Sequence, residues 1–113
     1  MANELQPNER LVPGLALSSD NREYTLIFQN DGNLVLYHVR DNKALWASNT
    51  QGKNATSLVM QLDGNLVLYN SQNTPVWASN TAGKPFSYLT VQDDGNVVIY
   101  QPTPTWATNT AQR

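Results

Sequence analysis

One block of sequence occurs three times in this chain, and that repetition limits the fold more than any other feature. Phe28-Gln29-Asn30-Asp31-Gly32-Asn33-Leu34-Val35-Leu36-Tyr37 returns as Met60-Gln61-Leu62-Asp63-Gly64-Asn65-Leu66-Val67-Leu68-Tyr69, and again as Val91-Gln92-Asp93-Asp94-Gly95-Asn96-Val97-Val98-Ile99-Tyr100. Each copy is followed by a second shared block: Trp46-Ala47-Ser48-Asn49-Thr50, then Trp77-Ala78-Ser79-Asn80-Thr81, then Trp106-Ala107-Thr108-Asn109-Thr110. The repeats cover roughly residues 20–50, 51–81 and 82–110 of a single domain, 1–113. Three equivalent supersecondary units must therefore pack against one another.

Within each unit an apolar segment meets Asp-Gly and resumes as an apolar segment, the strongest short-range signal for a β-hairpin. Leu26 to Gln29, a turn, and Asn33 to His38 form the first. The segments are short, rich in Val, Leu, Ile and Tyr, and lack the i, i+3, i+4 spacing of an amphipathic helix, so an all-β chain is expected. Gln51-Gly52-Lys53-Asn54 and Ala82-Gly83-Lys84-Pro85 carry the turn chemistry expected between units. Strand alternation then assigns faces. Leu34/Leu36, Leu66/Leu68 and Val97/Ile99 point to a shared core, to which the three tryptophans can add area.

Composition narrows the chemistry. The chain has 113 residues, a formal net charge of −2, one histidine and no cysteine. That length allows one compact domain. With no basic run there is no electrostatic footprint for nucleic acid or an anionic membrane. Disulfides, thiolate metal sites and cysteine nucleophiles are absent, and His38 by itself cannot build a histidine zinc site. No cofactor is expected. No stretch approaches the ~18 apolar residues of a membrane span. The N-terminus lacks a basic-then-apolar leader, so a cytoplasmic or leaderless-secreted protein is expected, in which Asn54-Ala55-Thr56 is an unused glycosylation pattern; if the chain is a processed form, a secreted protein is expected instead.

The face opposite the core presents Gln, Asp, Asn, Val and Tyr at alternate positions of every copy. Asp accepts hydrogen bonds, Asn and Gln donate and accept, Tyr offers a hydroxyl, and Val a small apolar contact. This set suits a hydroxyl-rich ligand and contains no nucleophile. Turn formation accounts for Asp, Gly and Asn but does not require Gln two residues before the Asp or Tyr six after it.

Gln29-x-Asp31-x-Asn33-x-Val35-x-Tyr37, with its copies Gln61, Asp63, Asn65, Val67, Tyr69 and Gln92, Asp94, Asn96, Val98, Tyr100, resembles the mannose-binding motif of the monocot, or bulb-type, lectins of the snowdrop agglutinin family. The resemblance runs from about Leu11 to Thr110. It implies a β-prism II fold, three four-stranded antiparallel sheets around a pseudo-threefold axis with tryptophans in the core. It also implies one metal-independent mannose site per sheet: Asp and Asn on the axial 2-hydroxyl, Gln on the 3-hydroxyl, Tyr on the 4-hydroxyl and Val against the ring. The implied partners are mannose-rich glycans and glycoproteins, and a second copy of the chain dimerising by exchange of the Thr103 to Thr110 region. The family's usual disulfide has no counterpart, since Gly32 and Thr56 stand near its positions.

Rival readings are weaker. A calcium-hand loop needs a Glu eleven residues after its first Asp, where this chain has Asn42, Thr74 and Thr105. Asp93 and Asp94 are adjacent on one strand and point to opposite faces, which argues against a glycosidase pair. His38 is replaced by Asn70 and Gln101 in the other copies and receives no role. An enzyme is not expected. The alternative from another class is a protein-interaction module on the same fold with vestigial sugar binding; three intact motifs argue against it.

Overall fold

The computed structural model describes residues 2–102, and these form eleven β-strands and no helix. The strands are β1 Glu4–Leu5, β2 Arg10–Leu11, β3 Ala16–Ser18, β4 Tyr24–Phe28, β5 Leu34–His38, β6 Lys43–Ala47, β7 Ala55–Met60, β8 Leu66–Asn70, β9 Pro75–Ala78, β10 Tyr88–Val91 and β11 Val97–Tyr100. They build three antiparallel sheets, ordered β3-β4-β5-β6, β2-β7-β8-β9 and β1-β10-β11. No helix among the described residues is long and apolar enough to cross a membrane.

Each repeat supplies the consecutive strands of one sheet. The third sheet has three strands among the described residues rather than the expected four. Its repeat continues into the Trp106 block, and both that block and the Thr103 to Thr110 exchange segment lie outside the described residues.

The hairpins differ from a two-residue Asp-Gly turn. Gln29 N donates to Asn33 O at 2.8 Å and Gly32 N to Gln29 O at 3.0 Å, so the loop holds three residues. It is a type I turn closed by a left-handed Gly32, at φ +92°. The other two hairpins repeat this at Gly64 and Gly95, with φ +94° and +89°. The third loop residue must be left-handed, which explains why glycine follows every Asp.

The alternating leucines fill one shared core. Leu26, Leu58 and Leu89 are buried on the inner strands, with Phe28, Met60 and Val91 at their ends. Leu34, Leu36, Leu66 and Leu68 face them, and Val97 and Ile99 pack partly buried in the third copy. The third copy thus offers smaller side chains at two of these levels, Val91 and Val97. On that side a cleft of about 550 Å³ remains, lined in part by Leu36, Trp46, Trp77, Leu89, Val97 and Ile99.

Of the two described tryptophans, Trp46 departs from the expected core position. Trp77 is half-buried against the core, but Trp46 is 42% exposed on edge strand β6. The two rings meet edge to face, 5.6 Å apart, at the cleft. An edge strand with no described neighbour beyond it leaves one side of an indole open.

The N-terminal segment does what no periodicity in it predicts. Leu5, Leu11 and Leu17 are all buried, one in each sheet, pairing with Leu89, Leu58 and Leu26. The segment therefore passes through all three sheets, and Ser18 N donates to Ala2 O at 2.9 Å, closing the circuit. Two- and three-residue strands are too short to carry an alternation signal.

Candidate carbohydrate-binding sites

Each hairpin brings its five motif residues to the outer side of its own sheet. Asp31, at the third position of the turn, accepts from Asn33 N through Oδ1 at 2.9 Å. Asp63 does the same with Asn65 N, and Asp94 with Asn96 N, both at 2.9 Å. This local bond aims every carboxylate, and all three are exposed at the tip of the loop.

Gln29 stands across the hairpin from Asn33, and Tyr37 is paired with Thr25. The Gln29 amide accepts from the Tyr37 hydroxyl at 2.7 Å and donates to both carboxylate oxygens of Asp31, at 3.2 and 3.3 Å. It thus spans the intervening Ile27–Val35 pair. Gln61 is hydrogen-bonded to the Tyr69 hydroxyl, and Gln92 Nε2 to Tyr100 Oη at 2.5 Å. Val35 and Val67 are each only 3% exposed, so they form the floor beneath these pairs; Val98 is half-buried.

The most informative side chain is the Asn. Asn33 Oδ1 accepts from Ser48 Oγ at 3.1 Å and from Thr50 N at 3.3 Å. Thr50 Oγ1 donates to Gly32 O at 2.6 Å, and Ser48 Oγ accepts from Leu34 N at 3.0 Å. In the second copy Asn65 Oδ1 accepts from Ser79 Oγ at 3.2 Å and Thr81 N at 3.3 Å, and Thr81 Oγ1 donates to Gly64 O at 2.6 Å. Between the two clamping residues stands Asn49 or Asn80, left-handed at φ +58° and +61°. Asparagine tolerates that conformation better than most residues.

These bonds give the Ser-Asn-Thr after Trp46 and after Trp77 a purpose that the sequence reading did not assign. It holds the Asn oxygen and the glycine carbonyl of the adjacent hairpin. The signal was present as a threefold repeat without a stated role. In the third copy Thr108 and Thr110 occupy these sequence positions, outside the described residues.

With its oxygen engaged by the clamp, the Asn amide has its nitrogen, a pure donor, to offer on the same hairpin that carries the Asp carboxylate. A donor beside an acceptor is what a single hydroxyl group needs to make both of its bonds. Among the described residues no three His, Cys, Asp or Glu side chains converge as a metal-binding group.

The whole chain can be compared with solved structures. It superposes on the mannose-specific agglutinin of snowdrop (Galanthus nivalis) bulbs, solved with methyl α-D-mannoside, with a TM-score of 0.80. The match covers 98% of this chain and 99% of that one at 45% identity. The chain belongs to the bulb-type lectin family.

Other bulb-type lectins agree. The monomeric monocot mannose-binding lectins of Gastrodia elata match at TM-score 0.78 and 43% identity, over 96% of this chain and 98% of theirs. The B-type lectin plumieribetin of Scorpaena plumieri is 42% identical over 56 residues, which are 50% of this chain and 47% of that protein. The matched stretches span less than half the length of the curated relatives. No protein-family model matches the chain. The bulb-type fold accounts for the three sheets and pseudo-threefold repeat expected from sequence, and membership in a family of lectins agrees with a binding protein rather than an enzyme.

Proposed function

We propose that the chain is a lectin that binds α-D-mannose and mannose-rich glycans at three equivalent sites, without a metal ion, and gains its strength from multivalency. The observation that carries this reading is the clamp on the amide oxygens of Asn33 and Asn65, two residues after an aimed carboxylate in two separate copies, which reserves the amide nitrogen as a donor. In this reading the axial 2-hydroxyl of mannose donates to Asp31 and accepts from Asn33. Gln29 takes the 3-hydroxyl, Tyr37 the 4-hydroxyl, and Val35 underlies the ring. Asp63, Asn65, Gln61, Tyr69 and Val67 act likewise, as do Asp94, Asn96, Gln92, Tyr100 and Val98.

Discrimination follows from the same geometry. An equatorial 2-hydroxyl, as in glucose, leaves the Asp/Asn pair unmatched, and unpaired polar groups in a built site cost affinity. A shallow site with a dissociation constant of about 1 mM supplies only about 4 kcal/mol, so useful capture needs several sites on one branched glycan. Dimerisation through the Thr103 to Thr110 region doubles the number of sites.

The test is a calorimetric titration with methyl α-mannoside and then methyl α-glucoside, in buffer containing a chelator. Heat with the first sugar and little with the second is the expected result. The triple variant Asp31→Ala, Asp63→Ala, Asp94→Ala is expected to lose retention on a mannan-coated surface. Undiminished retention by a folded triple variant sinks the assignment.

A further inference from the structure

The three sites share a floor but not a rim, and the second rim stands apart. At the first position after the motif Gln, the hairpin loops carry Asn30, Leu62 and Asp93. Leu62 is 49% exposed beside Asp63. Against the same turn lies the loop that follows the Trp77 block: Gly83 N and Lys84 N donate to Asp63 O at 2.9 and 3.1 Å, and Phe86 N donates to Leu62 O at 3.1 Å. Phe86 is 64% exposed, and its φ is +64°.

Both properties of Phe86 are unfavourable for folding. A left-handed aromatic residue carries backbone strain, and most of its ring surface stays in water in the free chain. In the corresponding loop of the first unit, the left-handed position before the buried Ala55 is held by Asn54, at φ +59°, a residue suited to it. Strained residues concentrate where a ligand uses them, and exposed aromatic rings stack on the C–H faces of sugars and on other rings.

We infer that Leu62 and Phe86 form an apolar lip on the second site, which binds the group attached to the recognised mannose through that group's apolar face. The inference rests on the proposed mannose orientation. Because Asp63 and Asn65 would hold the 2-hydroxyl, the neighbouring anomeric carbon lies at the turn end of the site, where Leu62 and Phe86 stand. The second site would therefore prefer α-mannosides with an apolar surface on the next residue, whereas the first and third, with Asn30 and Asp93, would not.

The test follows the backbone amides of Asn33, Asn65 and Asn96 by NMR during titration with methyl α-mannoside, phenyl α-mannoside and an α-linked dimannoside. At Asn65, phenyl mannoside is expected to bind roughly fivefold more tightly than the methyl glycoside, with no such gain at Asn33 or Asn96. Phe86→Asn should remove that gain, leave methyl mannoside binding unchanged and raise the melting temperature. Leu62→Asn, which leaves the Phe86 backbone alone, should reduce the gain independently.

A gain shared by the dimannoside identifies a sugar C–H face as sufficient, and a gain for phenyl alone restricts the lip to apolar aglycones. Equal gains at all three sites, or a gain that survives both substitutions, overturns the inference. So does concentration-dependent self-association that Phe86→Asn abolishes, because the lip is then an interface between copies. If methyl mannoside itself fails to perturb Asn65, the proposed sugar site fails instead.

Discussion

Tyr24 in the first sheet lies directly over Gly95 in the turn of the third: a Cβ on Gly95 would stand 2.7 Å and 2.8 Å from two carbons of its ring. Next to this contact, Asn21 N donates to Asp93 Oδ1 at 2.9 Å, and Asn21 Nδ2 donates to Asp93 O at 3.1 Å. The third hairpin is therefore shaped by the first sheet as well as by its own sequence.

Gly95→Ala must displace the Tyr24 ring and also place a side chain at φ +89°. The expected cost is roughly 2–4 kcal/mol, with the third site losing more affinity than the others. Gly83→Ala is the control, since it is left-handed but open around its Cβ, and about 1 kcal/mol is expected. Urea denaturation of both variants checks the difference, and equal costs would contradict the Tyr24 contact.

Ser79→Ala removes a donor to Asn65 Oδ1 and an acceptor for Leu66 N. A loss of about 1–2 kcal/mol in stability is expected, together with weaker mannoside binding at the second site alone. Ser48→Ala should move the effect to the first site. Site-resolved titration settles the matter, and a uniform change at both sites would argue that the clamp acts only on the fold.

Leu68 is fully buried in the core that the three sheets share. Leu68→Ala is expected to cost about 2–5 kcal/mol. Because the core is shared, binding at all three sites should disappear in one thermal transition. Separate transitions for separate sites would mean that the sheets fold independently.

Mannoside affinity is expected to be the same with and without a chelator. Asp31 directs its oxygens to Asn33 N and the Gln29 amide, not to a set of converging carboxylates. A threefold or larger loss of affinity in chelator would point to an ion in the site.

Much of this molecule follows from local pattern. The Asp-Gly hairpins, the leucine faces and the Gln, Asp, Asn, Val and Tyr of each repeated motif are separated by a few residues on one hairpin, so strand alternation brings them together without knowledge of the rest of the chain. Even the left-handed glycine after each Asp is a local requirement of the turn.

The remainder was settled by contacts between segments far apart in sequence. The threading of Leu5, Leu11 and Leu17 through three sheets, the hold of Ser48 and Thr50 on Asn33, the exposure of Trp46 and the seat of Phe86 against Leu62 each depend on which strand or loop becomes a neighbour. Periodicity encodes which side a residue faces but not what lies on that side. Only closing three sheets on one core sets those distances, because packing at near-crystalline density leaves each segment one place to go.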